Sequence, residues 1–262
     1  LPLARAALYA GTAAAIILAV RSLVIEPLPL AVSAFAAAVY VALFTIGVLV
    51  LRLRVFVDAI VQGPRDARGV ALTFDDGPDP VATRAVLDAL DRAKARATFF
   101  VIAKKAERHP EVIREILARG HGVGLHSYAH DRLFSLRSAR RVKEDLVRGI
   151  GVLTELTGAR PTLFRPPIGH TNPTIARVAA ELGLAVVGWS VGGGDGLASA
   201  DEDRVVRRVR RGLKDGAIVL LHDAAERDDH APIGARALPR VLEAIAERRL
   251  TVVPLEPWID GA

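Results

Sequence analysis

The sequence predicts an α/β protein, built on a parallel sheet or a (β/α) barrel and preceded by an apolar helical hairpin. Three features lead to that reading. The first sixty residues are almost free of charge, short apolar runs alternate with amphipathic stretches from Gly69 onward, and polar residues close several of those runs. Strands separated by helices pair in the same direction, because each crossover returns the chain to the same end of the sheet.

The leading segment holds two apolar stretches. Residues 28–51 are 24 positions without a charge, against the about 20 needed to cross a hydrocarbon layer. Residues 6–20 are also uncharged, and 22–25 extend them past Arg21; an arginine is least costly near the end of a span. Glu26, Pro27, Leu28 and Pro29 form the connection, so helices over about 6–25 and 28–51 make a membrane hairpin. A signal peptide over 1–25, or one long buried helix, is the alternative. Residues 1–64 are therefore read as an anchoring segment and 65–262 as a separate domain. Arg5, Arg52, Arg54, Arg65 and Arg68 flank the spans, while the connection sets Arg21 against Glu26. The positive-inside bias would place both ends in the cytoplasm.

Beyond Gly69, runs at 70–74, 97–102, 122–125, 162–164, 184–189, 217–221 and 250–253 read as buried strands. Helical periodicity fills 81–95, 110–119, 138–156, 173–182, 201–213 and 235–249. Asn172 before Pro173, and Asp201 before the Val205, Val206 and Val209 face, are start signals. Gly120, Gly158, Gly183 and Gly216 stand where helices should stop.

Composition narrows the chemistry. With 51% hydrophobic residues the chain can build a full core, and with no cysteine it has no disulfide, thiolate metal site or cysteine nucleophile. The net charge of +6 is mostly arginine, but no basic run is interleaved with aromatics, so a nucleic-acid partner is not indicated. Nothing points to a protein partner either. The arginine run from Arg204 to Arg211 fits a solvated helix face, with an anionic surface as the lesser reading.

The chemistry-bearing residues share a position. Asp75 and Asp76 close the first strand, His126 the third, Arg165 the fourth and His222 the sixth, while Asp195 follows the fifth. Parallel strands put all their C-terminal ends on one face, so these residues converge on one cleft. Adjacent carboxylates repel unless a cation or an arginine neutralises them, and the Gly77-Pro78 turn keeps both at the rim. His126 and His130, four apart in HSYAH, would share a face on one helical turn. Alone, such a pair is as compatible with a solvated loop as with a metal site. His109, His121 and His230 read as solvated loop or helix-end residues; His170, just after RPPIG, reads the same way with substrate contact as the lesser reading, and Trp189 as core rather than a sugar platform. Asp228 and Asp229 are marginal candidates for extending the cleft.

TFDDGP, HSYAH, RPPIG and VLLHD occur in the order, and at spacings comparable to those, of the polysaccharide deacetylase family with the NodB homology domain (carbohydrate esterase family 4), which the chain resembles over about residues 68–253. The resemblance implies a deformed, incomplete (β/α) barrel. It also implies one divalent metal held by Asp76, His126 and His130, zinc foremost, with cobalt, nickel or iron also suited to such a set. In that pattern Asp75 is the general base, Arg165 holds it ionised, and His222 protonates the departing amine. The Ile168 amide would stabilise the oxyanion, Pro167 and Gly169 would complete that substrate loop, and Leu220 would line the acetyl-methyl pocket. The expected activity is removal of N-acetyl groups from an amino-sugar glycan. Its partners would be an acetylated polymer such as peptidoglycan, chitin or exopolysaccharide, or a lipid-linked sugar, at the membrane.

Two motifs depart from the family pattern: Ile168 stands where that pattern often has Tyr or another aromatic, a loss that mainly affects substrate contact because the backbone amide is the catalytic part. WSVGGGDG places Gly192 and Gly193 where an aspartate and a pocket residue are expected, leaving Asp195 to orient His222. The glycines also remove bulk from a cleft wall. An O-acetyl esterase uses the same residues and is the nearest alternative; a catalytically impaired glycan-binding protein is the alternative of another class. A glycan substrate favours a domain outside the membrane, whereas the flanking arginines favour the cytoplasm.

Overall fold

A computed structural model describes residues 1–196, 199–227, 230 and 232–259, so Asp228 and Asp229 lie outside the described residues. The chain opens with two antiparallel helices, α1 (Leu3–Val24) and α2 (Leu30–Leu49), both long and apolar enough to cross a membrane. Thr12 bonds Tyr40 between them at 3.3 Å, and Arg21 pairs with Glu26 at the connection. Pro29 stands immediately before α2 and supplies the carbonyl that starts it.

Among the described residues seven parallel strands follow: β1 (Val70–Asp75), β2 (Ala97–Val101), β3 (Gly122–Leu125), β4 (Leu163–Phe164), β5 (Ala185–Val186), β6 (Val191–Gly192) and β7 (Ala217–His222). Their order across the sheet is β5-β4-β3-β2-β1-β7-β6. The strands β5 and β6 therefore sit on opposite margins, yet only Val187 to Ser190 join them. Flat, the two margins would lie about 29 Å apart, whereas five residue steps reach at most about 18 Å. The sheet must curl until its margins approach, which gives the incomplete barrel.

Helices cover the outside: α3 (Ala82–Arg92), α4 (Ala103–Arg108), α5 (Pro110–Ala118), α6 (Ala139–Thr157), α7 (Pro173–Glu181), α8 (Glu202–Gly212) and α9 (Gly234–Glu247). Asn172 and Asp201, the expected start signals, each accept a backbone N–H from three residues on, and Ser138 caps α6 in the same way. The main core runs from Leu72, Phe74 and Phe99 out to Val86, Leu146 and Val241.

Three expectations change. Residues 184–189 are not one strand, because the chain leaves one margin after Val186 and reaches the other at Val191. Residues 250–253 form only an isolated bridge, Val252 to Val70. Both sides of β1 are already taken by β2 and β7, and Pro254 has no N–H to continue a ladder. The six-residue α4 was not expected; it is too short to show a period. Leu51, Ala59 and Val61 belong to the main core, and Ile60 and Gln62 bridge to Val187 and Ala217, so packing of the sheet domain begins well before residue 65.

Candidate active site

Strand register assembles the cleft. Asp75 lies directly beside His222 on neighbouring strands, and Leu125 beside Phe164, so the residues that follow, His126 and Arg165, also meet. The Nδ1 of His126 donates to the Arg165 carbonyl at 2.7 Å. A carbonyl can only accept, which fixes the tautomer and turns Nε2 towards Asp76.

Asp76 Oδ1 is 3.4 Å from His126 Nε2 and 3.3 Å from His130 Nε2. It is buried and has no hydrogen-bond partner among the described residues. The ligand atoms of the three residues all lie within 4.8 Å of one another. An orphaned carboxylate oxygen facing two imidazole nitrogens fits a divalent cation, and this donor set suits zinc-like metals. Burial works against the Asp76 charge, but the facing His126 imidazole, with His130 and His222, outweighs it and holds the carboxyl well below the usual range. Burial and the neighbouring His126 keep His130 below the ordinary imidazole value, against Asp76 and Glu226. Burial also opposes charge on His126, but Asp75 and Asp76 raise it.

The backbone is bent to make this cluster. Asp76, Ser127, His130 and Ile168 all have positive φ, between 50° and 74°, in a region non-glycine residues seldom occupy. At Asp76 this sends consecutive carboxylates in different directions. The HSYAH segment is a loop rather than the expected helical turn. Asp145 of α6 accepts the Tyr128 and Ala129 amides, and Ser127 Oγ accepts the His130 amide.

Arg165 is fully buried, its Nη1 2.6 Å from Asp75 Oδ1 and 2.9 Å from Thr73 Oγ1. Nη2 donates to the Gly188 carbonyl at 3.0 Å, and the guanidinium lies 4.1 Å from the Phe100 ring centre. On the other side, Asp195 takes the His222 backbone N–H through Oδ2 at 2.7 Å and faces its Nδ1 through Oδ1 at 3.2 Å. Burial disfavours the charged imidazole, yet Asp195 above all, with Asp76 and Asp75, raises His222 to about 9. A side chain at Gly234 would strike Asp195 and the His222 backbone, so only glycine lets α9 start there.

The cleft is a cavity of about 330 Å3 lined by Asp75, Asp76, His126, His130, Ile168 and His222, with Gly169 and Leu220 also in its wall. Arg165 and Asp195 stand behind Asp75 and His222. Pro167 is buried and lies off the cavity wall, so of the expected substrate loop only Ile168 and Gly169 face the cleft. A larger cavity, about 600 Å3 between α3 and α9, holds none of these groups. Volume does not mark the site; the donor set does.

Several residues escaped the sequence reading. Glu226 Oε1 is 3.4 Å from His130 Nδ1, while its other oxygen takes Arg132 at 2.6 Å. Asp223 is buried against Gly77 and accepts from Thr83 Oγ1 at 2.5 Å; burial raises its carboxyl to about 7. It braces the turn that carries Asp76. Trp189 packs on the core but also lines the cleft, as does His230. His121 is not solvated: it is buried beside Phe99, and its Nδ1 accepts the Ala97 amide.

A curled parallel sheet with an Asp-His-His cluster at its carboxyl rim defines a class of metal-dependent hydrolase fold, and comparison with known proteins names the class. The polysaccharide deacetylase model matches residues 62–187. The chitooligosaccharide deacetylase of Bradyrhizobium sp. is 36% identical over 72% of this chain and 89% of its own length. The peptidoglycan-N-acetylglucosamine deacetylase PgdA of Listeria monocytogenes is 39% identical over 59% of this chain, which spans only 32% of that longer protein. The structure of a family 4 carbohydrate esterase from Streptomyces lividans in complex with acetate superposes with a TM-score of 0.65 at 32% identity, covering 72% of this chain and 94% of that one. The chain belongs to the polysaccharide deacetylase family.

Proposed function

We propose that the protein is a metal-dependent deacetylase that removes N-acetyl groups from an amino-sugar glycan and is held at a membrane by its N-terminal hairpin. The observation that carries this reading is the orphaned Asp76 oxygen between two imidazole Nε2 atoms, with Asp75 on one side and His222 on the other. Asp76, His126 and His130 would hold the ion, zinc by preference. When bound, a divalent cation supplies Lewis acidity to the acyl carbonyl and acidifies water.

The protein's own groups complete the chemistry. Asp75, aimed by its hydrogen bond from Arg165, accepts the proton of the attacking water. His222, protonated up to about pH 9 through Asp195, gives a proton to the leaving amine. The Ile168 N–H, presented by its left-handed backbone, donates to the developing oxyanion. Leu220 borders the place for the acetyl methyl. Hydrolysis then yields acetate and a free amine.

The test is acetate release by the metal-loaded full chain from N-acetylated and from O-acetylated sugars. Release from N-acetyl substrates that Asp75→Asn abolishes supports the proposal. Release confined to O-acetyl substrates would make the protein an esterase, and metal binding without any release would make it a glycan-binding protein.

A further inference from the structure

The arginines of α8 fall on two sides of the helix. Val205, Val206 and Val209 are buried and fix its inner face. The side turned to α9 is balanced in charge: Arg210 pairs with Glu247 at 2.8 Å, and Arg240 holds Asp203 at 2.5 Å and Glu202 at 3.4 Å. At about 3.6 residues to a turn, Arg204, Arg207, Arg208 and Arg211 share an arc of about 100° on the outer side and the side away from α9. All four are exposed. Arg204, Arg208 and Arg211 make no ion pair or side-chain hydrogen bond among the described residues. Arg207 acts only on Asp203, which Arg240 already holds. Each of the four stands three or four positions from two others, which sets neighbouring Cβ atoms about 5–6 Å apart. That lies inside the screening length of about 8 Å at physiological salt, so the arc repels itself and an anionic surface would relieve the repulsion.

The place of the arc says which surface. Arg208 lines a cavity of about 360 Å3 whose other wall is Leu49, Val50, Leu51 and Arg52, at the exit of α2. Arg204 and Arg211 stand within about 6 Å of Arg208 along the helix axis. The arc therefore lies beside the point where a membrane-length helix meets the sheet domain, and Arg52 and Arg54, also exposed, add the same sign there. A second contact with α2 brings apolar groups to this edge. Thr171 donates its N–H to the Val48 carbonyl at 3.0 Å, and next to it Asn172 donates to the Ser135 carbonyl at 2.5 Å. Leu133 and Leu136, on either side of Ser135, are 52% and 77% exposed. Unpaired arginines with bare leucines, around the end of an apolar helix, match the headgroup and acyl layers of a lipid surface.

We propose that the Arg204–Arg211 face of α8 docks on the anionic phospholipid headgroups of the membrane that the hairpin enters, giving the domain a second hold besides its anchor. This rests on the membrane reading of the hairpin and adds to it a surface and a lipid charge. It is independent of the chemistry in the cleft.

The test places the full chain in nanodiscs of phosphatidylcholine, or of the same lipid mixed with phosphatidylglycerol, and follows amide hydrogen exchange of the 202–213 segment by mass spectrometry. Exchange should slow about fivefold or more in the acidic discs, the effect of at least one arginine at an acidic surface. The difference should vanish at about 1 M salt, where screening reaches about 3 Å. Arg204→Gln with Arg207→Gln and Arg211→Gln should erase it, and lysine at the same three positions should keep it. Arg236→Gln, on the balanced α9 side, should leave it unchanged, as should exchange of α6 in every sample. Equal exchange in the two discs, or slowing that the triple glutamine variant retains, would overturn the proposal. Slowing caused by a soluble acidic glycan and never by acidic lipid would also overturn it and make the partner a polymer. A chain recovered only with acidic discs, and lost from them in the triple glutamine variant, would sink the anchor reading and keep the arginine contact. Recovery with neither disc would sink both.

Discussion

The two flanks of the cleft are built differently. On the Asp75 side, a fully buried arginine spends its donors on a carboxylate, a hydroxyl and strand-end carbonyls, and rests on Phe100. On the His222 side, one carboxylate from a glycine-rich loop orients the imidazole that β7 carries; Gly234 makes room for that carboxylate and Gly196 for the ring. The base flank is fixed by the sheet itself. The acid flank hangs on a segment whose sequence departs from the family pattern. The difference teaches that the loop could change, and could admit Arg208 beside Gly194, while Asp75 stayed in place.

The comparison can be broken most severely from the base side. Asp75→Asn should lower acetate release by about 10²–10⁴-fold, the range for loss of a positioned general base, with metal content unchanged by elemental analysis. Arg165→Met leaves Asp75 buried without its counter-charge, and urea unfolding should show a loss of about 3–5 kcal/mol. The acid side should give a milder response. Asp195→Asn should cut the rate about 10–100-fold, less than full removal of an acid–base group, and move the alkaline limb of the pH profile to lower pH.

The sign of the accompanying stability change follows from His222. Its folded value of about 9 lies above the ordinary imidazole value of 6.5, so its contribution is whole below about pH 6.5 and lost as pH rises through about 9. Unfolding of the metal-free protein at pH 6, 7.5 and 9 should show that loss, and Asp195→Asn should flatten it. The smallest effect sharpens the picture at the metal cluster. Glu226→Gln removes a carboxylate beside His130, and cobalt affinity by competition titration should fall about tenfold, the lower end for such supporting groups.

Much of this site could be read from the chain because its parts stand at strand ends. Asp75, Asp76, His126, Arg165 and His222 each end or follow an apolar run, and parallel strands carry that linear regularity into three dimensions. Asp195 was also legible, as the acidic residue remaining after the glycines. What escaped depends on tertiary curvature or on irregular loops. Between Val186 and Val191 the only break in the apolar stretch is Gly188 with Ser190, and a lone glycine inside a strand pattern does not reveal a change of margin. Glu226 and Asp223 sit in a loop without periodicity, and their partners, His130 and Thr83, come from distant chain. The arginines of α8 looked like a solvated face, and they are exposed; Arg208 is set apart only by where Gly194 falls.

The short outer strands have a further effect. At two residues each, β5 and β6 offer hardly any ladder to a neighbouring molecule, and the Ile60 segment already bonds along β5 through the Val186 carbonyl and the Gly188 amide. Under the proposed membrane anchoring, copies of this protein would be confined to a plane and collide far more often than in free solution. Blunted margins of this kind let them crowd together without stitching into aggregates.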